Sequence, residues 1–233
     1  MKQAVLTKLL TARQDKKPVA LITLVDSGRQ SLIYTDTAAP NDGISKETLL
    51  AARKALRKGQ SGLVETMDGT AFVQVFAPPR RLLIVGAVHI AQALAPMAGL
   101  AGYEVTVIDP RRAFATNERF PFVHVMKEWP DRALQRLAPD DRTAIVLLTH
   151  DPKLDEPALK MALQSDAFYV AALGSKKTQE QRRQRLSKGG LDEQALSRIH
   201  GPAGLDLGAR TPGEIAISIM AELTQVLRED SKV

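Results

Sequence analysis

The chain has 233 residues, with 32 Lys and Arg against 26 Asp and Glu, a net charge of +6, 44% hydrophobic residues and no cysteine. This composition excludes disorder and collagen-like repeats, and the lack of cysteine excludes disulfides, thiolate zinc sites, iron–sulfur clusters and a cysteine nucleophile. Because the first residues lack the apolar core of a secretion signal and no apolar run of about 18 residues exists, we predict a soluble, cytoplasmic protein without membrane contact.

Residues 1–76 are predicted to form a small α+β domain. The predicted elements are helices over 1–12 and 45–58 and strands over 18–25, 31–34, 63–66 and 71–76. The last two strands flank Asp68 and Gly69, a dipeptide typical of a tight hairpin turn. The Pro78-Pro79 pair marks the boundary with a second predicted domain over 80–233.

The second domain shows alternating strands and helices. The predicted strands are 82–85, 104–108, 144–148 and 168–173, and the predicted helices are 90–100, 155–164, 178–187, 191–198 and a last one from Pro212, with Thr211 as its cap and Glu214 in its first turn. Short apolar strands that alternate with helices are typical of a parallel sheet covered on both faces. The predicted fold class is therefore α/β, a Rossmann-like doubly wound parallel sheet with a small α+β N-terminal domain.

Residues 86–91 lie where the first strand of the second domain ends and a helix begins, the position of the dinucleotide-binding turn G-x-G-x-x-G/A. Gly86 matches the first glycine and Ala91 the third, but Val88 replaces the middle glycine, where a pyrophosphate approaches the backbone. Asp109, which lies 23 residues after Gly86, matches the acid that binds ribose, and Arg111 and Arg112 are placed to bind a phosphate instead. The predicted cofactor-binding residues here are Gly86, Ala87, Val88, His89, Asp109 and Arg111. A Rossmann framework that has lost its site is the alternative.

Other polar groups follow other predicted strands, and ligands of open α/β sheets bind where strands end. This adds His150, Asp151, Gly174, Ser175, Lys176 and Lys177 to the predicted cofactor-binding residues. Asp206 joins them because it lies in the glycine-rich segment 201–211, which is predicted to fold over this edge as a lid or to be an ordinary loop. His150-Asp151 can equally be a helix cap, and His124 is predicted to be a strand residue without chemistry.

One stretch of the chain is densely basic. It contains Lys176, Lys177, Arg182, Arg183, Arg185 and Lys188, with Glu180 as its sole acid. Aromatic residues for base stacking are missing there, so we predict no nucleic-acid partner but a small anionic ligand or a solvated helix face. No metal site is predicted.

Several segments, taken in this order, resemble the XdhC/CoxI family of accessory proteins for xanthine dehydrogenase, carbon monoxide dehydrogenase and related molybdenum hydroxylases. The resemblance is carried by residues 86–94, 107–111, 118–121, 148–151, 173–177, 200–209 and 211–216. It covers residues 80–228, about two thirds of the chain. The string of motifs is far more specific than the glycine turn alone.

The resemblance implies an accessory factor, more a cofactor-binding chaperone than an enzyme. Such a factor binds the molybdenum cofactor (molybdopterin type) and assists its sulfuration and insertion into a molybdenum hydroxylase apo-enzyme. A cysteine desulfurase is a further implied partner, and a homodimer is the usual first expectation for the oligomer. Family members commonly carry a cysteine in a glycine-rich N-terminal segment, whereas this chain has none, so any sulfur must come from a partner.

The residues alone leave two other functions open, both of which use the crevice between Gly86 and Asp109. One is an NAD(P)-dependent oxidoreductase, which Asp109 favours and Val88 disfavours. The other is a regulatory module that senses a nucleotide.

Overall fold

The computed structural model describes residues 2–35 and 43–229, and the chain divides into two compact units between Pro78 and Pro79. Met1, with which the first predicted helix begins, lies outside the described residues, as do residues 230–233 at the end of the second predicted domain.

The first unit contains the two helices and four strands that the sequence predicts. Its elements are α1 (Gln3–Gln14), β1 (Val19–Leu24), β2 (Gln30–Tyr34), α2 (Lys46–Lys58), β3 (Gly62–Thr66) and β4 (Gly69–Phe76). The strands form an antiparallel sheet in the order β2-β1-β4-β3. One face of this sheet is covered by α2, where Leu49, Ala52 and Leu56 pack against Ile22 and Val73.

Ser45 and Asp68 join the start of α2 to the β3–β4 hairpin. The Ser45 hydroxyl caps the helix by accepting from the Thr48 N–H, and the Asp68 carboxylate accepts from the Ser45 N–H at 2.8 Å. The hairpin pairs Thr66 with Gly69. Its two loop residues are therefore Met67 and Asp68, one residue earlier than the predicted Asp68-Gly69 turn.

The second unit is a six-stranded sheet with helices. Its elements are β5 (Arg80–Val85), α3 (His89–Leu100), β6 (Tyr103–Ile108), β7 (His124–Met126), α4 (Pro130–Leu137), β8 (Thr143–Leu147), α5 (Pro152–Leu163), β9 (Tyr169–Ala172), α6 (Lys176–Lys188), α7 (Glu193–Ser197), β10 (Ile199–His200) and α8 (Pro212–Glu229). All strand pairs are parallel, in the order β10-β9-β8-β5-β6-β7. The predicted Rossmann-like fold class is confirmed. From β5 the chain first adds β6 and β7 on one side and then β8, β9 and β10 on the other.

The alternation of side chains along β5 explains why its sequence is continuously apolar. Leu82 and Ile84 face one layer, with residues of α3 and α8, whereas Leu83 and Val85 face the other layer, with residues of α4 and α5. All four side chains are buried. A strand in this position has no polar face, which is the physical basis of the fold prediction.

The sequence did not predict α4 or β10, and it placed the start of α6 two residues late. α4 has 8 residues and β10 has 2, so neither is long enough to show a clear periodicity. α6 begins at Lys176 because the Ser175 hydroxyl accepts a hydrogen bond from the Thr178 N–H. His124 lies on β7, as expected of a strand residue.

We expect Ile145→Val to lower the free energy of unfolding by about 0.5–1.5 kcal/mol, because Ile145 is fully buried on β8 and the lost methyl group leaves a void. Ile217→Val is the matched control, since Ile217 on α8 is 52% exposed and its change should stay within about 0.5 kcal/mol. Urea denaturation measures both. Equal effects of the two substitutions would contradict the described core.

Candidate functional site

The carboxyl ends of β5, β6, β8 and β9 lie side by side because these strands are parallel neighbours. Most of the predicted site residues follow those strand ends, so the structure brings them to one border of the sheet, which we call the C-terminal edge. Two turns there are in direct contact. Gly86 has a φ of +109°, and a Cβ at this position would come within 2.8 Å of Thr149 Cγ2. Only glycine fits this turn without displacement.

The helix α3 begins at the centre of the C-terminal edge without a side-chain cap. Val88 is its N-cap residue, with extended backbone angles, and its side chain makes no capping hydrogen bond. The first turn contains no acidic residue, and His89 is exposed. Since the first N–H groups of a helix have no intrahelical acceptor, this terminus presents backbone donors at the end of β5.

Asp109 does not present its carboxylate to a ribose, contrary to the sequence expectation. Its side chain is fully buried and accepts hydrogen bonds from the Ala87 N–H (2.8 Å) and the Arg111 N–H (2.9 Å). The Arg111 guanidinium donates two more, at 2.9 and 2.7 Å. Burial alone would raise the pKa of Asp109, but the hydrogen bonds from Arg111 and Ala87 outweigh it and hold the pKa below its usual value. Asp109 therefore fastens the glycine turn to the segment after β6.

Arg111 is consequently not a free phosphate ligand, and a second arginine strengthens the same contact. Arg119 donates to the carbonyl oxygens of Ala87 (2.9 Å) and Phe114 (2.8 Å). The Phe114 ring has the Arg111 guanidinium 4.7 Å from its centroid and that of Arg119 at 5.7 Å. The segment 110–120 thus folds against the glycine turn. Sequence reasoning did not assign Arg119 a role, and its only signal was the family resemblance of residues 118–121.

At the end of β8, Asp151 is a helix cap and His150 is exposed. The Asp151 carboxylate accepts from the Lys153 N–H at 3.0 Å, and the Asp151 N–H donates to Thr149 Oγ1 at 3.1 Å. The capping alternative therefore holds for Asp151. His150 has a φ of +59°, a left-handed conformation that is uncommon outside glycine and is often found at functional sites.

At the end of β9, two lysines occupy the first turn of α6. The Ser175 hydroxyl is used as the cap of α6, whereas Lys176 and Lys177 are both exposed. Gly174 has a φ of +137° and packs against Thr178. A helix N-terminus carries a partial positive charge, so basic residues there oppose helix stability and an added anion favours it.

The rest of the basic stretch is mostly paired rather than free. Arg183 contacts Glu193 at 3.0 Å, and Arg185 contacts Glu156 at 2.5 Å. Arg182 is buried and lies 3.4 Å from Asp155. Within this stretch, Lys176 and Lys177 are the exposed cations that follow β9, and Arg112, which follows β6, is exposed as well.

Asp155 and Arg182 belong to a buried polar network beneath the C-terminal edge, which sequence reasoning missed. Asp155 accepts from Thr149 Oγ1 at 2.5 Å, and Arg182 donates to Gln179 Oε1 at 2.5 Å and to the Leu173 carbonyl at 3.1 Å. Burial raises the pKa of Asp155, against the effects of Thr149 and Arg182. The network ties the ends of β8 and β9 to α5 and α6. Its members lie up to 33 residues apart, from Thr149 to Arg182, so no local sequence pattern predicts that they contact one another.

The segment 201–211 is held along α8. The Ala203 N–H donates to the Ala172 carbonyl (3.1 Å), the Gly204 N–H to Glu222 (2.8 Å) and the Leu205 N–H to the Ser218 carbonyl (3.1 Å). The segment therefore leaves the end of β9 and follows α8, while Asp206 is exposed. A role for Asp206 in a lid stays a prediction.

Comparison with known proteins finds a family model and several relatives that resemble this chain. A family model described as the XdhC Rossmann domain matches residues 82–223. The chain is 31% identical over 155 residues to a Bacillus subtilis (strain 168) protein named as a probable subunit of xanthine dehydrogenase, covering 66% of this chain and 45% of that protein. It is 31% identical over 151 residues to the molybdenum cofactor insertion chaperone PaoD of Escherichia coli (strain K12), covering 65% of this chain and 41% of that protein.

The chain spans less than half the length of the curated relatives that it matches. Among solved structures, that of a xanthine dehydrogenase from Bacillus halodurans superposes with a TM-score of 0.73 at 24% identity, covering 98% of this chain and 68% of that one. This likeness supports the fold. Within residues 2–35 and 43–229, no helix combines the length and apolar character that a membrane crossing requires, and no group of three or more His, Asp or Glu is arranged to hold a metal ion.

We expect Asp109→Asn to lower the free energy of unfolding at pH 7 by about 2–3 kcal/mol. This is less than for a fully buried pair, because the Arg111 side chain is 37% exposed. Because the pKa of Asp109 is lowered by folding, its stabilisation is complete above the unfolded value of about 3.9 and is lost as the pH falls. Urea denaturation between pH 7 and pH 3 should therefore show a weaker acid dependence in the variant.

Asp166→Asn is the control for this experiment, because Asp166 is exposed. A variant at Asp109 that matches this control at every pH would show that the buried contact contributes nothing.

Proposed function

The chain belongs to the XdhC Rossmann-domain family, and on that premise we propose that it is a maturation factor for a molybdenum hydroxylase. In this proposal it binds the molybdenum cofactor and assists its sulfuration and insertion into a xanthine dehydrogenase-type apo-enzyme. The names of two relatives, a molybdenum cofactor insertion chaperone and a probable subunit of xanthine dehydrogenase, support this class of role. The assignment of 1–76 and 80–233 as separate domains is part of the proposal.

The observation that carries the proposal is the first turn of α6, where Lys176 and Lys177 are exposed and no acid is present. This arrangement costs helix stability unless an anion is bound. The uncapped start of α3, with Val88 as its N-cap residue, adds backbone donors on the same C-terminal edge. These groups fit the phosphate-bearing tail of a molybdopterin-type cofactor. His89, at the start of α3, and His150, after β8, are also exposed.

The role proposed for the chain is binding and delivery, because these 233 residues contain no cysteine to hold a persulfide. When bound, the cofactor supplies the molybdenum centre that the client enzyme needs. The protein's own task is to neutralise the anionic tail with Lys176, Lys177 and the α3 N–H groups. Sulfur then has to be supplied by a partner such as a cysteine desulfurase, and a homodimer remains the proposed oligomer.

An NAD(P)-dependent oxidoreductase receives less support from the geometry. In dinucleotide-binding folds, the acid at the end of the second strand accepts from the ribose hydroxyl. Here the Asp109 carboxylate is already used by Ala87 and Arg111. A module that senses a nucleotide would be distinguished by a different measurement, because ligand binding would then change its affinity for a partner protein.

We expect the double variant Lys176→Gln, Lys177→Gln to weaken retention of the cofactor by about tenfold, because two charge-assisted contacts are lost at an exposed site. The measurement is pterin fluorescence that elutes with the protein after anaerobic mixing with molybdenum cofactor and gel filtration. The melting temperature of the variant should be unchanged or slightly higher, because the lysines oppose the helix dipole.

Lys188→Gln, in the last turn of the same helix, is the matched control and should retain the cofactor like the unmodified protein. Absence of pterin retention by the unmodified protein would overturn the proposed function. Tight NAD(H) binding by calorimetry, together with hydride transfer, would replace it with the oxidoreductase.

A further inference from the structure

A cavity lies outside the predicted site, where β7 ends and α4 begins. Its volume is about 580 Å³. It is lined by Lys127, Glu128, Trp129, Arg132, Gln135 and Arg136. Its volume lies within the range typical of small-molecule sites, about 300–1,000 Å³.

Trp129 gives this cavity an exposed aromatic surface. It is the one tryptophan of the chain, and its side chain is 50% exposed. The next residue, Pro130, is buried at the first position of α4, so the backbone on which Trp129 stands is fixed. A half-exposed indole on a fixed backbone is a suitable surface for stacking a planar ring.

The charges around Trp129 are mostly positive. Glu128 is the only acid among the lining residues, and it forms an ion pair with Arg136 at 2.7 Å. Lys127 and Arg132 therefore leave the cavity with a net positive charge. The start of α4 adds little to this charge, because its first residue, Pro130, has no N–H group and its first turn contains Asp131.

The cavity is close to the C-terminal edge. β7 is the parallel neighbour of β6, and the Asp109 N–H donates to the Met126 carbonyl at 3.0 Å. β6 in turn pairs with β5. Since neighbouring strands are about 4.8 Å apart, the ends of β5 and β7 are separated by about 10 Å. One elongated ligand with a phosphate linkage can span that distance.

We propose that this cavity binds a nucleotide, with the base stacked on Trp129 and the phosphates held by Lys127 and Arg132. An aromatic ring beside cations in a concave cavity matches a base with its phosphates better than it matches a flat, acidic protein surface. Nucleotide binding in this cavity does not depend on the proposed function. Only the further step, that the nucleotide is the tail of the ligand bound at the C-terminal edge, rests on it.

Because Trp129 is the sole tryptophan, its fluorescence reports directly on the cavity. Because stacking tolerates any base, we expect both a pyrimidine and a purine probe, cytidine 5′-diphosphate and guanosine 5′-diphosphate, to quench it saturably, with a dissociation constant of about 1 mM or below. Pyrophosphate and the corresponding nucleosides should each bind at least about fivefold more weakly, because each provides only half of the recognised chemistry. Absence of saturable quenching by either diphosphate would overturn the inference. Equal quenching by pyrophosphate or by polyglutamate would do so too, and the latter result would favour an acidic protein partner.

Equilibrium dialysis of the same nucleotides tests the individual groups. Trp129→Ala should weaken binding about tenfold, since one base–aromatic stack contributes about 1–3 kcal/mol, whereas Trp129→Phe should keep most of it. Arg132→Gln should weaken binding about fivefold. Lys188→Gln removes one charge at the end of α6 and should have no effect. Full binding by Trp129→Ala would overturn the inference.

The nucleotide measurements contain no pterin, so their failure leaves the proposed function to be decided by the retention assay. Loss of pterin retention alongside intact nucleotide binding would overturn the proposed function and leave the cavity assignment in place.

Discussion

The C-terminal edge of the second unit depends on one buried carboxylate. Asp109 accepts from the Ala87 N–H in the glycine turn and from the Arg111 guanidinium in the segment that follows β6. Arg119 completes the connection by donating to the Ala87 carbonyl. Both the N–H and the carbonyl oxygen of Ala87 are therefore hydrogen-bonded, which fixes the turn. The acid in the position of the ribose-binding residue is therefore a structural contact in this chain.

A second buried carboxylate, that of Asp155, stabilises the C-terminal edge on the other side of β5. Asp155 and Arg182 tie the ends of β8 and β9 together, with Thr149 and Gln179 completing the hydrogen bonds. Such buried ion pairs contribute little net stability relative to apolar packing, but breaking one is costly, so they fix a geometry. Both carboxylates and their arginines are used internally, so the proposed ligand would contact backbone N–H groups and exposed cations such as Lys176 and Lys177.

The sequence predicts the sheet well because its strands are buried on both faces, and Leu82 to Val85 form an unbroken apolar run. Gly86 is equally predictable, since its turn admits no side chain. The roles of Asp109 and Arg182 could not be read from sequence, because their acceptors and donors come from turns that only the fold brings together. The cavity beside Trp129 could not be predicted for a different reason. Trp129 precedes a helix of 8 residues, too short for its amphipathic pattern to stand out.

Delivery, as proposed for this chain, makes a physical demand that differs from that of a tightly bound prosthetic group, because the ligand must leave. Exposed lysines and helix N–H groups bind phosphate through interactions that salt and water weaken, with a screening length of about 8 Å at physiological ionic strength. They attract an anionic ligand and speed its capture without enclosing it. Lys176 and Lys177 meet this demand, whereas buried arginines such as Arg182 would hold a ligand too firmly or not reach it. Under the proposed function, the paired arginines shape the edge and the exposed lysines hold the ligand transiently.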